Sequence, residues 1–509
     1  MRTGVIDLCE EYQVDVINNL VKTNLVSFEH ILYRKKIHFH GNYDKVEKLI
    51  LDQGEKTNFD SITKFLFGNK IIDLSSVPFT LSESLVNEVK HIESMFYRIT
   101  DRAASLPISI HERKLYYLLL LNYFNNIITK NKLELIIAFE TPHSFFSMIY
   151  FELAKYYNLK VILLEYHFFQ DMCIVLNQFQ YPEVPITFNQ GKSLEEIKEE
   201  IPSFIKTKLI EKNSYVSNYK EKEKKKVKRK NSNLKLYLSL VKKKISNFIL
   251  ALFPHLIKPG INHFTSLNNV NGNFKYRITL NKLIYKLYKT NKYYNKVAKN
   301  NPDLNAKYIF FGLHMQPEKT SQPLGNESDN QFYPIFLISK NLPDGWKIYV
   351  KDHPNQFNLK KVSNRNYRSR NYYDAILKLG NVELVSFETS ADDLMKNAQA
   401  IATLSGTIGW EGLTMGKPVL AFGNPYYIGC RSVHQISNSQ EMKDFFENQI
   451  MRSSEEVLSD FYNYLIYYFN NSYLSVGSNF EVKMALSEYP KEWHVEKLSN
   501  QITNCIKEF

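Results

Sequence analysis

Short apolar runs, each stopped by a polar or glycine-bearing turn, punctuate this chain at two places in particular. In the first half, Leu133–Phe139 reads as a buried strand and is followed by Glu140-Thr141-Pro142-His143. A helical pattern then continues through Tyr157, with Asn158 as its stop and Lys160–Leu164 as the next strand. Thr141 is the expected N-cap, with Pro142 at the first helical position. Val5–Leu8 reads as a further short strand leading into a helix that ends near Lys22. In the second half the strands are Tyr308–Leu313, Trp346–Lys351, Val382–Ser386, Ala400–Leu404 and Pro418–Phe422. Helices are expected over Gln331–Asn341 and Ser390–Asn397, and from Ser405-Gly406-Thr407 to Gly416. Apolar strands alternating with helices across short turns predict parallel sheets. The expected class is therefore α/β, with two Rossmann-like domains facing a cleft.

The middle of the chain breaks this pattern. Lys220–Lys230 holds eight basic residues and two acidic ones, and Leu234–Ile257 mixes aliphatic residues with lysines. The resulting division is an N-terminal domain over 1–215, a basic amphipathic linker over 216–300, a C-terminal domain over 301–437 and terminal helices over 438–509. A polybasic run ahead of an amphipathic segment suits reversible attachment to an anionic membrane surface, and equally a solvated linker. A length of 509 residues favours two domains, and 44% hydrophobic with 23% charged residues is a globular balance. The formal net charge of +13 favours anionic partners. Because the charge is concentrated in the linker and not interleaved with aromatics on a motif, nucleic acid is not expected among them. The four cysteines are widely separated without ligand spacing, so neither a zinc site nor a disulfide framework is expected. MRTGVIDLCEEYQ lacks the apolar core of a secretion signal, and no run spans a bilayer. The expected location is cytoplasmic, peripheral on the inner face of the membrane.

In parallel sheets ligands bind beyond the carboxyl ends of the strands. Four polar clusters stand at such ends in the second half: His314/Gln316/Glu318, Lys351/His353, Glu388/Thr389/Ser390 and Ser405/Thr407. The Ser405-Gly406-Thr407 turn opens a helix whose unpaired N–H groups and positive dipole end suit a phosphate. Gly409 allows close approach, and Glu411, one turn on, reads either as a ribose acceptor or as first-turn charge. Pro354 holds His353 extended at the strand end, where it can donate to a phosphate; Lys351 reads as neighbouring support. Gln316 and Glu318 follow their strand in a proline-rich loop that is also an ordinary turn. Trp410 reads as core. Glu140 with His143, and Glu165 with His167, end the two strands of the first half; either carboxylate suits a base or nucleophile, or a structural role. Asp392-Asp393 reads as first-turn charge, so no acidic pair stands ready for a metal.

LHMQPEKTSQPLG (Leu313–Gly325), LPDGWKIYVKDHP (Leu342–Pro354) and LSGTIGWEGLTMGKPVLAFG (Leu404–Gly423) together resemble the capsular polysaccharide synthesis family, which includes bacterial Kdo transferases acting on a CMP-activated sugar. The resemblance covers Tyr308–Tyr427 and, more weakly, Leu133–Glu165. It implies a GT-B-like fold with the donor nucleotide in the C-terminal domain, bound by Gln316, Glu318, His353, Ser405 and Thr407.

The leading expectation is a metal-independent glycosyltransferase without a cofactor. It would move a sugar, Kdo or another from a CMP-sugar, from a nucleotide donor to a capsular polysaccharide or its lipid-linked precursor. Glu140, Glu165 and His353 are its catalytic candidates; Gln316, Glu318, Lys351, His353, Ser405, Gly406, Thr407 and Glu411 are its donor-site candidates. The alternatives are a CDP-glycerol-type polyol-phosphate transferase, with His143 or His167 as its second histidine, and a non-catalytic polysaccharide-assembly protein.

Overall fold

The computed structural model describes residues 1–51, 77–103, 109–201, 274–474 and 490–509, apart from short stretches within them. Lys220–Lys230, Leu234–Ile257, His143 and His167 lie outside the described residues.

Two sheets organise the chain. The first collects β1 (Arg2–Leu8), β2 (Ser27–Arg34), β3 (Glu47–Leu51), β4 (Leu135–Ala138), β5 (Lys160–Tyr166) and β6 (Met172–Leu176). It also takes β13 (Tyr473–Leu474) from near the end of the chain, in the order β13-β6-β5-β4-β1-β2-β3. The stretch from β5 to β3 is parallel, while at one edge β6 runs antiparallel to both its neighbours, β5 and β13. Its helices are α1 (Tyr12–Lys22), α2 (Glu83–Glu88), α3 (Lys90–Ala103), α4 (Ile110–Lys130), α5 (Phe145–Tyr156) and α6 (Leu194–Glu200).

The second sheet is wholly parallel: β7 (Tyr308–Gly312), β8 (Lys347–Lys351), β9 (Val382–Leu384), β10 (Ala400–Thr403), β11 (Val419–Ala421) and β12 (Val433–Gln435), ordered β12-β11-β10-β7-β8-β9. It carries α7 (Phe274–Val297), α8 (Phe332–Asn341), α9 (Arg370–Leu377), α10 (Ala391–Asn397), α11 (Thr407–Thr414), α12 (Ser439–Asn448) and α13 (Ser454–Asn470). Strand order in each sheet reverses once, between β1 and β4 and between β7 and β10, as in doubly wound nucleotide folds. The fold is therefore α/β and GT-B-like, as the resemblance implies.

Local chemistry explains the boundaries. The helix after β4 starts at Phe145, not at Pro142. Its cap is Ser144, in a reciprocal capping box with Ser147, and not Thr141. Asn158 closes the unit in the left-handed region, at φ 51°. The segment 438–509 is not a separate tail. While α12 and α13 follow the second sheet, α14 (Lys491–Lys507) returns to the first domain. There Leu498, Ile502 and Ile506 join its core, and Lys491 pairs with Asp15 of α1 at 2.6 Å.

Candidate functional site

The carboxyl edge of the second sheet is built on a buried polar network. Asp352, the first residue beyond β8, and Arg368 form an ion pair with both side chains fully enclosed, Nε to Oδ2 at 2.7 Å. Burial pulls the guanidinium pKa down, but the Asp352 carboxylate, Tyr372 and Tyr373 together outweigh it, and the net effect is a rise. Tyr373 donates to the same carboxylate at 2.5 Å, and the His353 amide donates to its other oxygen at 2.7 Å. Arg368 reaches on to the His314 carbonyl at 3.0 Å and to Gln316 Oε1 at 2.5 Å. Gln316 donates through Nε2 to the Asp329 carbonyl and accepts from Gln331, while Gln356 bonds both its amide and its carbonyl. Three glutamines and one ion pair thus fix the loop after β7, the start of α8 and the turn after β8 against one another. These mutual bonds among buried polar groups make the edge rigid.

His314 spans the switch point itself. Its Nε2 accepts from the Leu404 amide at 3.2 Å and meets the Thr403 hydroxyl at 2.9 Å, so the proton sits on Nδ1, which faces Thr320. Burial, with the charges of His353 and Arg368, lowers its pKa from 6.5 to about 3 and keeps the ring neutral. Next to it, α11 begins at Thr407 with Gly406 as its cap. The Gly406 amide donates to the Thr403 hydroxyl at 3.2 Å, and the Gly409 and Trp410 amides bond the Tyr427 hydroxyl, so side chains already satisfy part of this helix start. A Cβ on Gly406 would stand 2.6 Å from His314 Cε1, and one on Gly409 would stand 2.2 Å from the Tyr427 hydroxyl. The space at Gly409, expected for a ligand, is therefore filled by Tyr427, whose hydroxyl donates to the Gly406 carbonyl at 2.5 Å.

The sequence-predicted residues divide accordingly. His353 is half-buried, and its Nδ1 accepts from the Asn355 amide at 3.1 Å, which puts the proton of the neutral ring on Nε2. Gly406 borders His314, whose pKa senses the charge of His353, and Thr407 is exposed. Ser405 is buried and donates to the Thr320 carbonyl at 2.6 Å, bracing the loop. Gln316 is equally internal, 2% exposed with both amide atoms bonded inside the protein, so its place is that of a brace and not of a donor contact. Lys351 donates to the carbonyls of Phe387 and Thr389, a tie between β8 and the loop after β9. Ser390 is the cap of α10 and Thr389 bonds the Asn300 carbonyl, so that cluster is structural. Glu318 and Glu411 are half-buried, and Trp410 is core against Phe461. Sequence reasoning missed Arg368, Gln331 and Gln356. A buried arginine sixteen residues from its carboxylate leaves no local pattern.

At the first sheet's switch point, Glu140 is half-buried just beyond β4, whereas Glu165 is buried within β5. Each stands two residues past the last β4–β5 pair, Ala138 opposite Leu163. Asp7, which sequence reasoning passed over, is buried at the end of β1 where the β1–β2 register shifts. Its φ of 54° is one that non-glycine strand residues rarely adopt. An acid near the end of an apolar strand was the available signal. Across the domains, Arg98 of α3 bonds Glu327 at 3.0 Å and lies 3.7 Å from Asp329, so the loop after β7 touches the first domain. Among the described residues no cluster of metal-ligating side chains occurs, and no helix is long and apolar enough to cross a membrane.

Residues 206–475, just over half of the chain, match the family model for the capsule polysaccharide biosynthesis protein. The chain belongs to the capsule polysaccharide biosynthesis family. The Asp352–Arg368 network, His314 and the α11 start all fall within the matched part of this capsule-family protein. No curated protein matches it. Among solved structures it is similar to the β-Kdo 2,4 transferase of Thermosulfurimonas dismutans KpsC, at 14% identity over 76% of this chain and 96% of that one, with a TM-score of 0.26. The β-Kdo 2,7 transferase of the same KpsC gives 11% identity over 75% and 88%, with a TM-score of 0.25. S. aureus MnaA, in a co-structure with UDP, gives 10% over 96% and 95%, with a TM-score of 0.24. At such scores neither activity nor substrate passes from these proteins to the capsule-family chain.

Proposed function

We propose that this capsule-family protein is a glycosyltransferase that uses a nucleotide-activated sugar, bound at the switch point of the second sheet, to extend a capsular glycan or its lipid-linked precursor. The observation that supports this reading most directly is the exposed Thr407 at the start of α11 together with the half-buried imidazole of His353, both at a carboxyl edge that the Asp352–Arg368 network holds in place. Two fixed donors and a helix dipole at one strand edge suit the phosphate of a departing nucleotide, whose charge grows as the glycosidic bond breaks. In this reading no metal is needed for that charge.

Glu140, half-buried at the opposite switch point, is the favoured base for an acceptor hydroxyl. Glu165 is the weaker candidate because it is buried within a strand. Gln316, Ser405 and Lys351 position the loops and do not touch the donor. Glu318, Thr407 and Glu411 remain as donor contacts. A CMP-sugar, Kdo included, is the favoured donor because the family resemblance includes CMP-Kdo enzymes. A cytoplasmic location suits that donor.

The test is incubation with CMP-, UDP-, GDP- and dTDP-sugars and a glycan acceptor, with mass analysis of the product. A sugar-residue increment that disappears in Glu140→Gln while the donor still binds is the expected result. A polyol-phosphate increment would replace the reading with a CDP-glycerol-type transfer, and no product with any donor would leave a non-catalytic assembly protein.

A further inference from the structure

Helix α7 has an unusual composition. Over Phe274–Val297 it carries seven basic residues and not one Asp or Glu. Its inner face is ordinary: Ile284, Leu287 and Tyr294 are buried in the second domain's core. On the outer face Lys282, Tyr285, Lys286, Lys289, Lys292 and Lys296 are all exposed. At 100° per residue these six fall within about a third of the helix circumference, in a stripe of roughly 21 Å. Among the described residues no carboxylate forms an ion pair with any of the five lysines, whereas Lys299, just past the helix, is paired with Glu383. A solvated helix face normally alternates charge, because like charges at helical spacing destabilise it. An acid-free row therefore stores repulsion that an anionic partner relieves.

We propose that this stripe is a docking surface for an anionic phospholipid bilayer. The row is convex and lies along a single helix, so it can lie flat against a plane of anionic headgroups. Tyr285, 44% exposed with the Lys289 ammonium 4.6 Å from its ring centre, puts an amphipathic aromatic among the charges, as at membrane interfaces. The polybasic Lys220–Lys230 precedes the same helix in sequence and adds charge of the same sign. The helix also bears on the candidate donor edge from behind. Tyr294 donates to the Val385 carbonyl and accepts from the Asp352 amide, next to His353. Docking through the outer face would thus hold the donor domain at the membrane, where a lipid-linked precursor resides. The surface itself does not depend on the glycosyltransferase reading.

The experiment is co-sedimentation of the full chain with vesicles of phosphatidylglycerol and phosphatidylcholine, and with phosphatidylcholine alone. Lys286→Gln, Lys289→Gln and Lys292→Gln together should weaken partitioning onto the anionic vesicles about a hundredfold, from roughly fivefold per lysine near a charged surface. A control triple, Lys378→Gln, Lys396→Gln and Lys443→Gln, removes the same charge from exposed sites elsewhere and should change it far less. Unaltered melting temperatures for both triples exclude misfolding. Equal loss in both, no loss in the α7 triple, or binding to soluble anionic polymers without binding to vesicles would each overturn the proposal.

Discussion

The carboxyl edges of the two sheets have the same topology but are built differently. At the second, a fully enclosed Asp352–Arg368 pair, three glutamines and His314 tie each strand-end loop to the next. At the first, Glu140 stands half-buried after β4, and the strained residue is Asp7, inside a register shift of β1. The contrast suits a group-transfer enzyme. A departing nucleotide needs fixed donors, because stabilisation that requires rearrangement comes too late. An acceptor-side base needs only reach and a suitable proton affinity.

The largest effect should come from breaking the braced edge. Arg368→Ala leaves the Asp352 carboxylate buried without its partner and should lower unfolding free energy by about 3–5 kcal/mol. Denaturant titration measures it. Arg368→Lys keeps the charge but loses the fork to Gln316 and the His314 carbonyl, and should recover only part. A loss below that of an ordinary surface substitution would mean the edge is not braced by this pair.

Acid should sharpen the comparison next. His30 and His314 are buried, and burial is the first cause lowering each from 6.5 to about 3. Both are neutral, folded or unfolded, above pH 6.5. As pH falls below 6.5 only the unfolded chain takes up the protons, so stability declines progressively down to about pH 3. Going from pH 7 to 5 should cost about 2 kcal/mol per histidine. The two differ in their partners. Both ring nitrogens of His30 lack a hydrogen-bond partner among the described residues, while His314 accepts from the Leu404 amide. His30→Phe should therefore flatten the acid limb of a melting-temperature profile without loss at pH 7. His314→Phe should flatten it too, but at a cost at neutral pH from the orphaned amide.

Gly409→Ala tests the packing under the α11 start. The new methyl meets the Tyr427 hydroxyl, and overpacking of this kind costs about 1–3 kcal/mol. Adding Tyr427→Phe should return part of the lost melting temperature. The smallest effect on stability is expected at the first edge: Glu140→Gln keeps the size of a half-buried side chain and should change the unfolding free energy by no more than about 0.5 kcal/mol. A large loss there would make Glu140 a structural residue and erase the contrast.

Much of this was legible in the chain. The strands of the second half and the α11 opening follow from apolar runs ending in small or hydroxylic turns, and the signal is local. The cap of α5 was misread because Thr141-Pro142 and Ser144–Ser147 both offer start signals, and only the reciprocal bond of Ser144 with Ser147 decides between them. Arg368, Gln331 and Gln356 were invisible because their partners lie far off in sequence. Gln316 was seen, but as a ligand contact, since nothing local tells a buried amide from one facing a site. The return of β13 and α14 to the first domain was hidden for the same reason.

The central claim is that the second switch point holds the phosphate of an activated sugar. Calorimetric titration of the protein and of His353→Ala with the CMP-, UDP-, GDP- and dTDP-sugars tests it directly. Binding of one donor by the unaltered protein is expected, weakened about tenfold or more in the variant by loss of a hydrogen bond to a charged group. Binding of none, or an affinity that ignores the loss of the imidazole, would contradict it.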